Sequence, residues 1–356
     1  MNACRGPRTP CRLRSVMPGW GYARGVEGPL TDAFGRVHRA LRVSVTDRCN
    51  LRCRYCMPAE GMAWLPGDRV LRDAEVVRLV GLLARMGVRE VRVTGGEPLL
   101  RPGIAPLVGR MAALPGVREV SMTSNGVLLD RHVDDLVAAG LARVNVSVDS
   151  LDPERFAAIT RRRDLDRVLA GLRACERHPS LRPVKVNAVC LRGLSEPDVL
   201  PLAALARERP YVVRFVEVMP LDAPREWTRD LVLGGEEVRA IVAARWPLLP
   251  LPADRPSATA TRWAFADGAG ELEFVSSVTE PFCAACDRLR LTADGQLRTC
   301  LFAEDETDLA GPMRAGAGDG ELAAIVCEAV MGKHAGHGMA DPAWTYAGRP
   351  MSRIGG

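Results

Sequence analysis

Residues 42–58 read RVSVTDRCNLRCRYCMP, a short β-type run followed by a loop that carries three cysteines. Cys49, Cys53 and Cys56 have the spacing C-x3-C-x2-C, and these gaps let about 10–13 Å of chain wrap around one corner of an iron–sulfur cubane and reach three irons. Three thiolates leave the fourth iron free to bind a ligand that reacts. The loop therefore predicts a catalytic cluster. The alternative is a zinc site or three loop thiols, but no fourth zinc ligand lies in this loop.

The run before these cysteines is the first of six β-type segments that alternate with segments of helical periodicity. The predicted strands span 42–45, 91–94, 120–123, 144–148, 184–189 and 212–218, and the predicted helices span 73–86, 102–114, 130–139, 164–178 and 196–208. Such alternation implies parallel βαβ units. Six units predict an α/β fold, a partial (β/α)6 TIM-like barrel over residues 30–220, with its chemistry in the loops at the carboxyl ends of the strands.

The pattern changes after residue 220, where four prolines between 247 and 256 mark a loop-rich stretch. Strands are predicted at 271–276, 288–292 and 296–299, with a helix at 321–331; a β-hairpin at Asp294-Gly295 joins the last two strands. We therefore expect a smaller C-terminal module over residues 221–356. Residues 1–29 are expected to form a disordered extension, with an organelle-targeting presequence as the alternative.

The predicted hairpin carries a second group of three cysteines, Cys283, Cys286 and Cys300. If its strands pair around Asp294-Gly295, Cys300 returns beside Cys286 and the three sulfurs converge on a second cluster. Zinc is the alternative for this group because C-x2-C is also half of a zinc ribbon, although no fourth cysteine or nearby histidine accompanies it.

Strand alternation places Arg288 and Arg290 on the same face as Cys286. Two guanidiniums beside a metal with an open position suit a phosphorylated substrate, because the planar guanidinium binds phosphate through two hydrogen bonds. The alternative is a pair of surface arginines on an exposed hairpin, since all but two of the 48 basic residues are arginines. The hairpin is therefore a candidate substrate site next to a cluster.

Composition excludes several other classes of protein. The 48 basic and 43 acidic residues nearly balance, which does not indicate a nucleic-acid-binding protein, and no apolar run reaches the ~18 residues of a membrane span. Eleven cysteines are an odd number in a long chain without a secretory signal, which argues for clustered thiolates in a cytoplasmic protein and against a disulfide framework. Lys185 and Lys333 are the only lysines, so each is a candidate for a specific role.

The two cysteine triads, the Arg-Leu-Arg of residues 288–290 and the terminal Gly-Gly together resemble the radical S-adenosylmethionine enzymes, and specifically the GTP 3′,8-cyclase family of molybdenum-cofactor biosynthesis A proteins. The resemblance covers residues 30–356. It implies a lyase that binds S-adenosylmethionine at a first [4Fe-4S] cluster and GTP at the open iron of a second [4Fe-4S] cluster. The implied product is 3′,8-cyclo-7,8-dihydro-GTP, in the first step of molybdenum cofactor biosynthesis.

The resemblance also assigns residues to roles. For S-adenosylmethionine it implies Tyr55, Gly96, Ser147 and Met219, and for GTP it implies Arg42, Arg92, Thr123, Lys185, Arg288, Leu289 and Arg290. Catalytic roles are implied for Arg288, Arg290, Gly355 and Gly356, because a tail without side chains can enter a narrow pocket. By their local patterns alone, residues 95–96 could be an ordinary strand-to-helix turn, Met219 could be core filler, and the terminal glycines could be a frayed end.

The family chemistry implies a 5′-deoxyadenosyl radical that takes hydrogen from C3′ of GTP, after which the C3′ radical attacks C8 of guanine. Expected partners are GTP, a low-potential electron donor and the next pathway enzyme, cyclic pyranopterin monophosphate synthase, whereas nucleic acid and membrane are not expected; a homodimer is a candidate assembly. Two alternatives remain: a peptide-modifying radical enzyme with an auxiliary cluster, and a non-catalytic zinc-binding module, which would lack visible absorption.

The remaining cysteines and two histidines receive no chemical role from the sequence. Cys175, Cys190 and Cys327 fall inside predicted helices or strands and are expected to be buried thiols. Cys4 and Cys11 lie in the extension. His334 and His337 resemble a family loop, in which a structural role is simpler than metal ligation.

Overall fold

Parallel pairing in chain order organises the centre of the molecule. The computed structural model describes residues 29–339, 346 and 349–355, and the strands in these residues form one continuous sheet of twelve. Each of the six central strands is parallel to the next, so the predicted partial barrel is confirmed. These strands are β1 (Ala40–Ser44), β2 (Glu90–Thr94), β3 (Glu119–Ser124), β4 (Arg143–Ser147), β5 (Val184–Cys190) and β6 (Tyr211–Glu217).

Six helices follow the central strands and pack with them in one hydrophobic core. They are α1 (Asp73–Arg85), α2 (Ile104–Ala112), α3 (Leu129–Ala138), α4 (Pro153–Thr160), α5 (Leu165–Glu176) and α6 (Glu196–Glu208). Alternate strand residues such as Val43, Val93 and Val146 are fully buried in this core. Helix α4 is absent from the sequence prediction, although Asp152 caps it by accepting a hydrogen bond from the Arg155 backbone at 2.8 Å.

The C-terminal part of the chain extends both edges of this sheet and does not build a separate one. Two of its strands continue the parallel arrangement: β9 (Glu271–Val275) pairs with β6, and β10 (Arg288–Leu291) pairs with β1. Antiparallel strands complete the edges, with β8 (Thr261–Phe265) and β7 (Leu248–Leu251) beyond β9 and with β11 (Gln296–Arg298) and β12 (Thr307–Asp308) beyond β10. The sheet therefore contains eight parallel strands and stays open between its two edges.

Strands β7 and β8 and helix α7 (Gly235–Ala243) occupy the stretch that the sequence predicts to be loop-rich. Pro250 lies inside β7, and proline normally argues against a strand because it has no N–H to donate. It is tolerated here because β7 is the last strand of the sheet. The prediction of a loop at this position is therefore wrong. Strand β7 lies at the edge of the sheet opposite to the hairpin of β10 and β11.

The predicted hairpin is confirmed and explains where the second group of cysteines lies. The Thr292 backbone donates to the Gln296 carbonyl at 2.9 Å, and Gly295 has a φ of +81°, in the left-handed region that glycine adopts most easily. The register pairs Arg290 with Arg298, so Cys300, two residues later, returns to the level of Arg288.

Three more helices lie after the hairpin, namely α8 (Ala310–Arg314), α9 (Asp319–Met331) and α10 (Met351–Ile354). Helix α9 confirms the helix predicted at 321–331. No helix in the described residues is long and apolar enough to cross a membrane. The predicted extension covers residues 1–29, of which only Pro29 is described. Cys4, Cys11 and Gly356 also lie outside the described residues.

A buried carboxylate fastens the C-terminal helices to the barrel. Glu75 in α1 accepts two hydrogen bonds from the Arg314 guanidinium of α8, at 2.9 and 3.1 Å. Its side chain is 8% exposed. The hydrogen bonds from Arg314, aided by Arg72, lower the pKa of Glu75 to about 2.

We predict that Glu75→Gln lowers the free energy of unfolding at pH 7 by about 1.5–3 kcal/mol, the range for hydrogen bonds to a charged group. Because the pKa of folded Glu75 is about 2 and its ordinary value is 4.5, the stabilisation is complete above pH 4.5 and is lost as the pH falls from 4.5 toward 2. Chemical denaturation at several pH values measures the difference.

The matched control is Glu237→Gln, which breaks the exposed ion pair between Glu237 and Arg192 and should change stability little. An equal loss in both variants, or a Glu75→Gln loss that does not shrink below pH 4.5, would contradict the prediction.

Candidate active site

All six cysteines of the two triads line one cavity of about 290 Å³. The cavity lies at the carboxyl ends of the parallel strands, where ligands bind in barrels of this kind. It is also lined by the four residues implied for S-adenosylmethionine and by five of the seven implied for GTP, which are Tyr55, Gly96, Ser147 and Met219, and Arg42, Arg92, Thr123, Arg288 and Arg290.

The first cysteine loop is fixed by backbone hydrogen bonds to α4. Arg52 and Arg54 donate from their backbones to the carbonyls of Thr160 and Ile159, at 2.9 and 3.0 Å. From the other side, the Arg161 guanidinium donates to the carbonyls of Arg52 and Met57, both at 2.9 Å. The three sulfurs are therefore held by backbone that is already ordered by the helix after β4.

Residues 95–97 pack directly against the same loop. The Gly96 backbone donates to the Thr46 carbonyl at 2.8 Å, and the Glu97 backbone donates to the Arg48 carbonyl at 2.7 Å. A methyl group on Gly96 would overlap the carbonyl oxygens of Asp47 and Arg48. Glycine is thus required here for the close approach of two backbones, in addition to any contact with a ligand.

The thiols of the first triad lie in a site that disfavours their own negative charge. Burial raises the pKa of Cys49 to about 11 and that of Cys56 to about 12, and it raises the pKa of Cys53 well above its usual range. The side-chain amide of Asn125 donates a hydrogen bond to the Cys49 sulfur, at 3.8 Å. Buried thiols of this kind become thiolates when cationic iron binds them, so the donor set fits a cluster.

Two buried carboxylates stand beside this triad. Asp149, after β4, accepts hydrogen bonds from the Tyr55 hydroxyl at 2.7 Å and from the Val189 backbone at 2.9 Å, and burial raises its pKa to about 6. Glu97 accepts hydrogen bonds from the Ser124 hydroxyl and the Asn125 backbone, and burial raises its pKa to about 7. Both carboxylates position the loops that surround the first triad.

The second triad lies in a more cationic environment. Burial has the largest effect on Cys286 and raises its pKa, but the Arg288 guanidinium and the Lys333 ammonium outweigh it, so the net pKa is lowered. The Lys333 ammonium lies 3.6 Å from the Cys286 sulfur. Cys283, on the same short turn, has a raised pKa because of its burial.

Three arginines form a row across neighbouring strands. The sheet register pairs Arg42 of β1 with Arg290 of β10 on one side and with Arg92 of β2 on the other. Burial, followed by repulsion from neighbouring guanidiniums, lowers the pKa of Arg42 and Arg92 well below the usual range and that of Arg290 to about 9. Arg290 is buried, and Arg42 and Arg92 are half-buried. Guanidiniums that repel one another in such a site favour an anionic ligand.

Two residues implied for GTP do not line the cavity. The Lys185 ammonium forms an ion pair with Glu273 of β9, and the same carboxylate binds Arg214 of β6 at 2.6 Å. The Leu289 side chain is fully buried in the core, because alternation turns it away from the face of Arg288 and Arg290. The structure therefore gives Lys185 a carboxylate partner and Leu289 a packing role.

The C-terminal tail reaches this cavity, and Met351 and Ser352 help to line it. Gly355 is buried, its carbonyl oxygen accepts a hydrogen bond from the Arg290 guanidinium, and Ile354 is fully buried with it. The φ of Gly355 is +88°, and a methyl group there would lie 2.5 Å from the Thr94 hydroxyl and 3.0 Å from Ser44. The tail is thus seated against the last residues of β1 and β2, next to the arginine row.

Several residues of the cavity were missed by the sequence analysis. Arg214 and Asn187 line it from β6 and β5, and His337 lines it from the loop that the sequence left without a role. Arg214 could have been found as a charged residue inside the predicted strand at 212–218, where the structure pairs it with Asn187. The Cys175 and Cys190 thiols are buried in the core, and Cys327 is buried in α9.

Known proteins share this combination of features. The profile of the Radical SAM superfamily matches residues 43–206, and that of Molybdenum Cofactor Synthesis C matches residues 211–339. A protein of Streptomyces coelicolor named GTP 3′,8-cyclase is 49% identical over 92% of this chain and 96% of its own length. A protein of the same name from Mycobacterium marinum is 49% identical over 93% of each chain.

Solved structures show the same fold at much lower sequence identity. Crystal structures of Streptococcus suis SuiB, one bound to S-adenosylmethionine and one bound to the precursor peptide SuiA, each give a TM-score of 0.53 at 14% identity. The matches cover 81% and 75% of this chain, and 67% and 61% of the SuiB chains. This likeness concerns the open barrel and not the residues of the cavity.

We predict that Gly355→Ala unseats the C-terminal tail, because the added methyl group would collide with Thr94 and Ser44. The amides of Met351 and Gly355, which donate to Leu221 and Met351 in the seated tail, should then exchange hydrogen faster. Hydrogen–deuterium exchange with mass spectrometry of the C-terminal peptide measures this change.

Gly316→Ala is the control, since Gly316 also has a positive φ, +98°, but has open space around it. It should leave exchange in the tail unchanged. Equal protection of the tail in wild type and Gly355→Ala would show that the tail does not depend on this close contact.

Proposed function

The chain belongs to the GTP 3′,8-cyclase family of radical S-adenosylmethionine enzymes, and we propose that it converts GTP to 3′,8-cyclo-7,8-dihydro-GTP in the first step of molybdenum cofactor biosynthesis. It acts as a cytoplasmic lyase with S-adenosylmethionine and two [4Fe-4S] clusters. The observation that carries this proposal is that two cysteine triads and a row of arginines line the same cavity.

The first triad is the site for the cluster that binds S-adenosylmethionine. Cys49, Cys53 and Cys56 would hold this cluster, and with S-adenosylmethionine it would supply a 5′-deoxyadenosyl radical. Tyr55, Gly96, Ser147 and Met219 lie around the same part of the cavity and are proposed to contact the cofactor. The Tyr55 side chain is held by Asp149 at 2.7 Å, so its position is set before the cofactor binds.

The second triad and the arginine row are the site for GTP. Cys283, Cys286 and Cys300 would hold a second cluster with one open iron, to which a guanine nitrogen or oxygen can bind. Arg288 and Arg290 lie on the strand that begins two residues after Cys286, with Arg42 and Arg92 next to them in the register. The negative charge of the triphosphate would relieve the repulsion among these guanidiniums.

The remaining residues of the cavity bind GTP, orient its ribose toward the first site and shield the reaction from water. The arginines hold the phosphates, so the ribose lies between the two triads, where a radical from the first site can reach it. Thr123 and Arg214 line the same cavity. The tail is seated beside Arg290 as far as Gly355, and we propose that it closes the cavity and excludes water and other hydrogen donors. The same role is proposed for Gly356, which lies outside the described residues. Lys185 does not line the cavity, so we propose that it acts on GTP indirectly, through the Glu273 carboxylate that it shares with Arg214.

The proposed partners follow from this chemistry. A low-potential electron donor must supply electrons to the first site, and the next enzyme of the pathway, cyclic pyranopterin monophosphate synthase, is proposed to receive the product. A peptide-modifying enzyme is less compatible with the cavity, because a peptide would leave the arginine row without an anion. A non-catalytic zinc-binding module is less compatible with the match to the Radical SAM superfamily over the residues that carry the first triad.

We predict that Cys53→Ala abolishes the formation of 5′-deoxyadenosine, whereas Cys300→Ala keeps some of it and loses the cyclised nucleotide. The reason is that the first triad holds the cluster that cleaves S-adenosylmethionine, whereas the second triad holds the cluster that binds GTP. Anaerobic reconstitution with iron and sulfide, followed by reaction with GTP, S-adenosylmethionine and dithionite, lets mass spectrometry measure both products.

Cys175→Ala is the control, because Cys175 is a core thiol outside the cavity, and it should keep both products. Wild-type yield of cyclised product from Cys300→Ala would remove the second triad from the mechanism. Near-normal cleavage of S-adenosylmethionine by Cys53→Ala would refute the assignment of the first triad to the cluster that binds this cofactor.

We also predict that alanine at Arg288 or Arg290 weakens GTP binding by about 1.5–3 kcal/mol, the range for a charge-assisted hydrogen bond. A lysine at either position keeps the charge and loses the planar fork, so it should restore only part of the affinity. Equilibrium binding of GTP to the reconstituted enzyme, without S-adenosylmethionine, measures the effect.

Arg262→Ala is the matched control, since Arg262 is a strand arginine that pairs with Glu271 and does not line the cavity. It should leave GTP affinity unchanged. Equal GTP affinity in wild type and in the Arg288→Ala/Arg290→Ala double variant would show that these arginines do not bind the phosphates.

A further inference from the structure

Lys333 is a buried lysine in contact with a predicted cluster ligand. It follows helix α9, its residue is 3% exposed, and its ammonium lies 3.6 Å from the Cys286 sulfur and 3.0 Å from the Arg288 carbonyl. Only one other lysine occurs in the chain. Taking a lysine out of water is costly unless its charge is compensated, so this position requires a negatively charged neighbour.

A clamp from the N-terminal part of the chain fixes the position of this lysine. The Arg36 guanidinium donates to the carbonyls of His334 and Ala335, at 2.7 and 2.9 Å, and to the Cys283 carbonyl at 2.9 Å. It therefore ties the loop directly after Lys333 to the turn that carries Cys283 and Cys286. Asp32 holds Arg36 in turn, with an ion pair of 2.6 Å between buried side chains.

The first triad has no equivalent contact. In the part of the chain that the structure describes, no lysine or arginine side chain donates a hydrogen bond to the sulfurs of Cys49, Cys53 or Cys56; the donor to Cys49 is the neutral amide of Asn125. The two triads thus differ in charge environment although both are half-buried and line one cavity.

We propose that Lys333 is a positioning residue that raises the reduction potential of the second cluster by donating a charged hydrogen bond to Cys286. This inference rests on the second cluster of the proposed function. Reduction adds a negative charge to a cluster, and a cation beside a ligand sulfur stabilises the reduced form more than the oxidised one. Because the contact is buried, the effect is stronger than it would be in water.

The same contact sets the two clusters apart. A higher potential at the second cluster makes it easier to reduce. Among the described residues the first triad has no hydrogen bond from a cation to a sulfur, so its cluster would keep the low potential that cleavage of S-adenosylmethionine demands. Lysine suits the position because its compact ammonium has three donors and can bind the Cys286 sulfur and the Arg288 carbonyl together.

The test is a potentiometric titration of the reconstituted enzyme, followed by electron paramagnetic resonance. The signal that changes when S-adenosylmethionine is added belongs to the first cluster, so the other signal reports the second. Lys333→Met and Lys333→Gln should shift the second potential to more negative values and leave the first unchanged, whereas Lys333→Arg should stay close to wild type. Iron content and thermal midpoint are measured for every variant.

Arg229→Met is the matched control, because Arg229 donates to the Met339 carbonyl at 2.7 Å and holds the same segment without touching a cysteine. It should leave both potentials unchanged. If Lys333→Met does not retain the second cluster, the neutral Lys333→Gln and the charged Lys333→Arg give the comparison. A second cluster that titrates at the wild-type potential in Lys333→Met or Lys333→Gln would overturn the inference. A wild-type enzyme with no second cluster would overturn the proposed function and this inference with it.

Discussion

The parallel pairing of β1 with β10 is the interaction on which the rest of the structure depends. Strand β1 leads into the first cysteine triad, and β10 begins two residues after Cys286, so their pairing brings both triads to one end of the sheet. The same register aligns Arg290 with Arg42, and Arg42 aligns with Arg92 on the next strand. One strand contact between distant parts of the chain therefore assembles the proposed metal ligands and the cations around a single cavity.

The cavity is lined by groups whose charged forms are disfavoured in the folded chain by itself and would be stabilised by ligands of opposite charge. The thiols of the first triad have raised pKa values because burial disfavours their negative charge, and the arginine row has lowered pKa values because burial and mutual repulsion disfavour its positive charge. Iron would stabilise the first group, and an anionic substrate would stabilise the second. The folded chain thus holds both sets of groups in states that favour binding.

The sequence predicted the features that depend on local pattern. Alternating strands and helices gave the six central strands, and Asp294-Gly295 gave the hairpin that returns Cys300 toward Cys286. Contacts between distant parts of the chain could not be predicted from local sequence patterns. The carboxylate partner of Lys185 is Glu273, on a strand far away in the chain, and Lys333 meets Cys286 because the Arg36 clamp holds its loop in place. Strand β7 was not predicted because it contains Pro250, which has no backbone N–H to donate. The structure shows that β7 is an edge strand, where this missing donor needs no partner.

The central claim is that the two triads hold two four-iron clusters at one cavity. Elemental analysis of the anaerobically reconstituted protein tests it most directly, by counting iron, acid-labile sulfide and zinc per chain. The account predicts about eight irons, about eight sulfides and no stoichiometric zinc. About four irons would leave one triad without a cluster, and one or two zinc ions without sulfide would contradict the account as a whole.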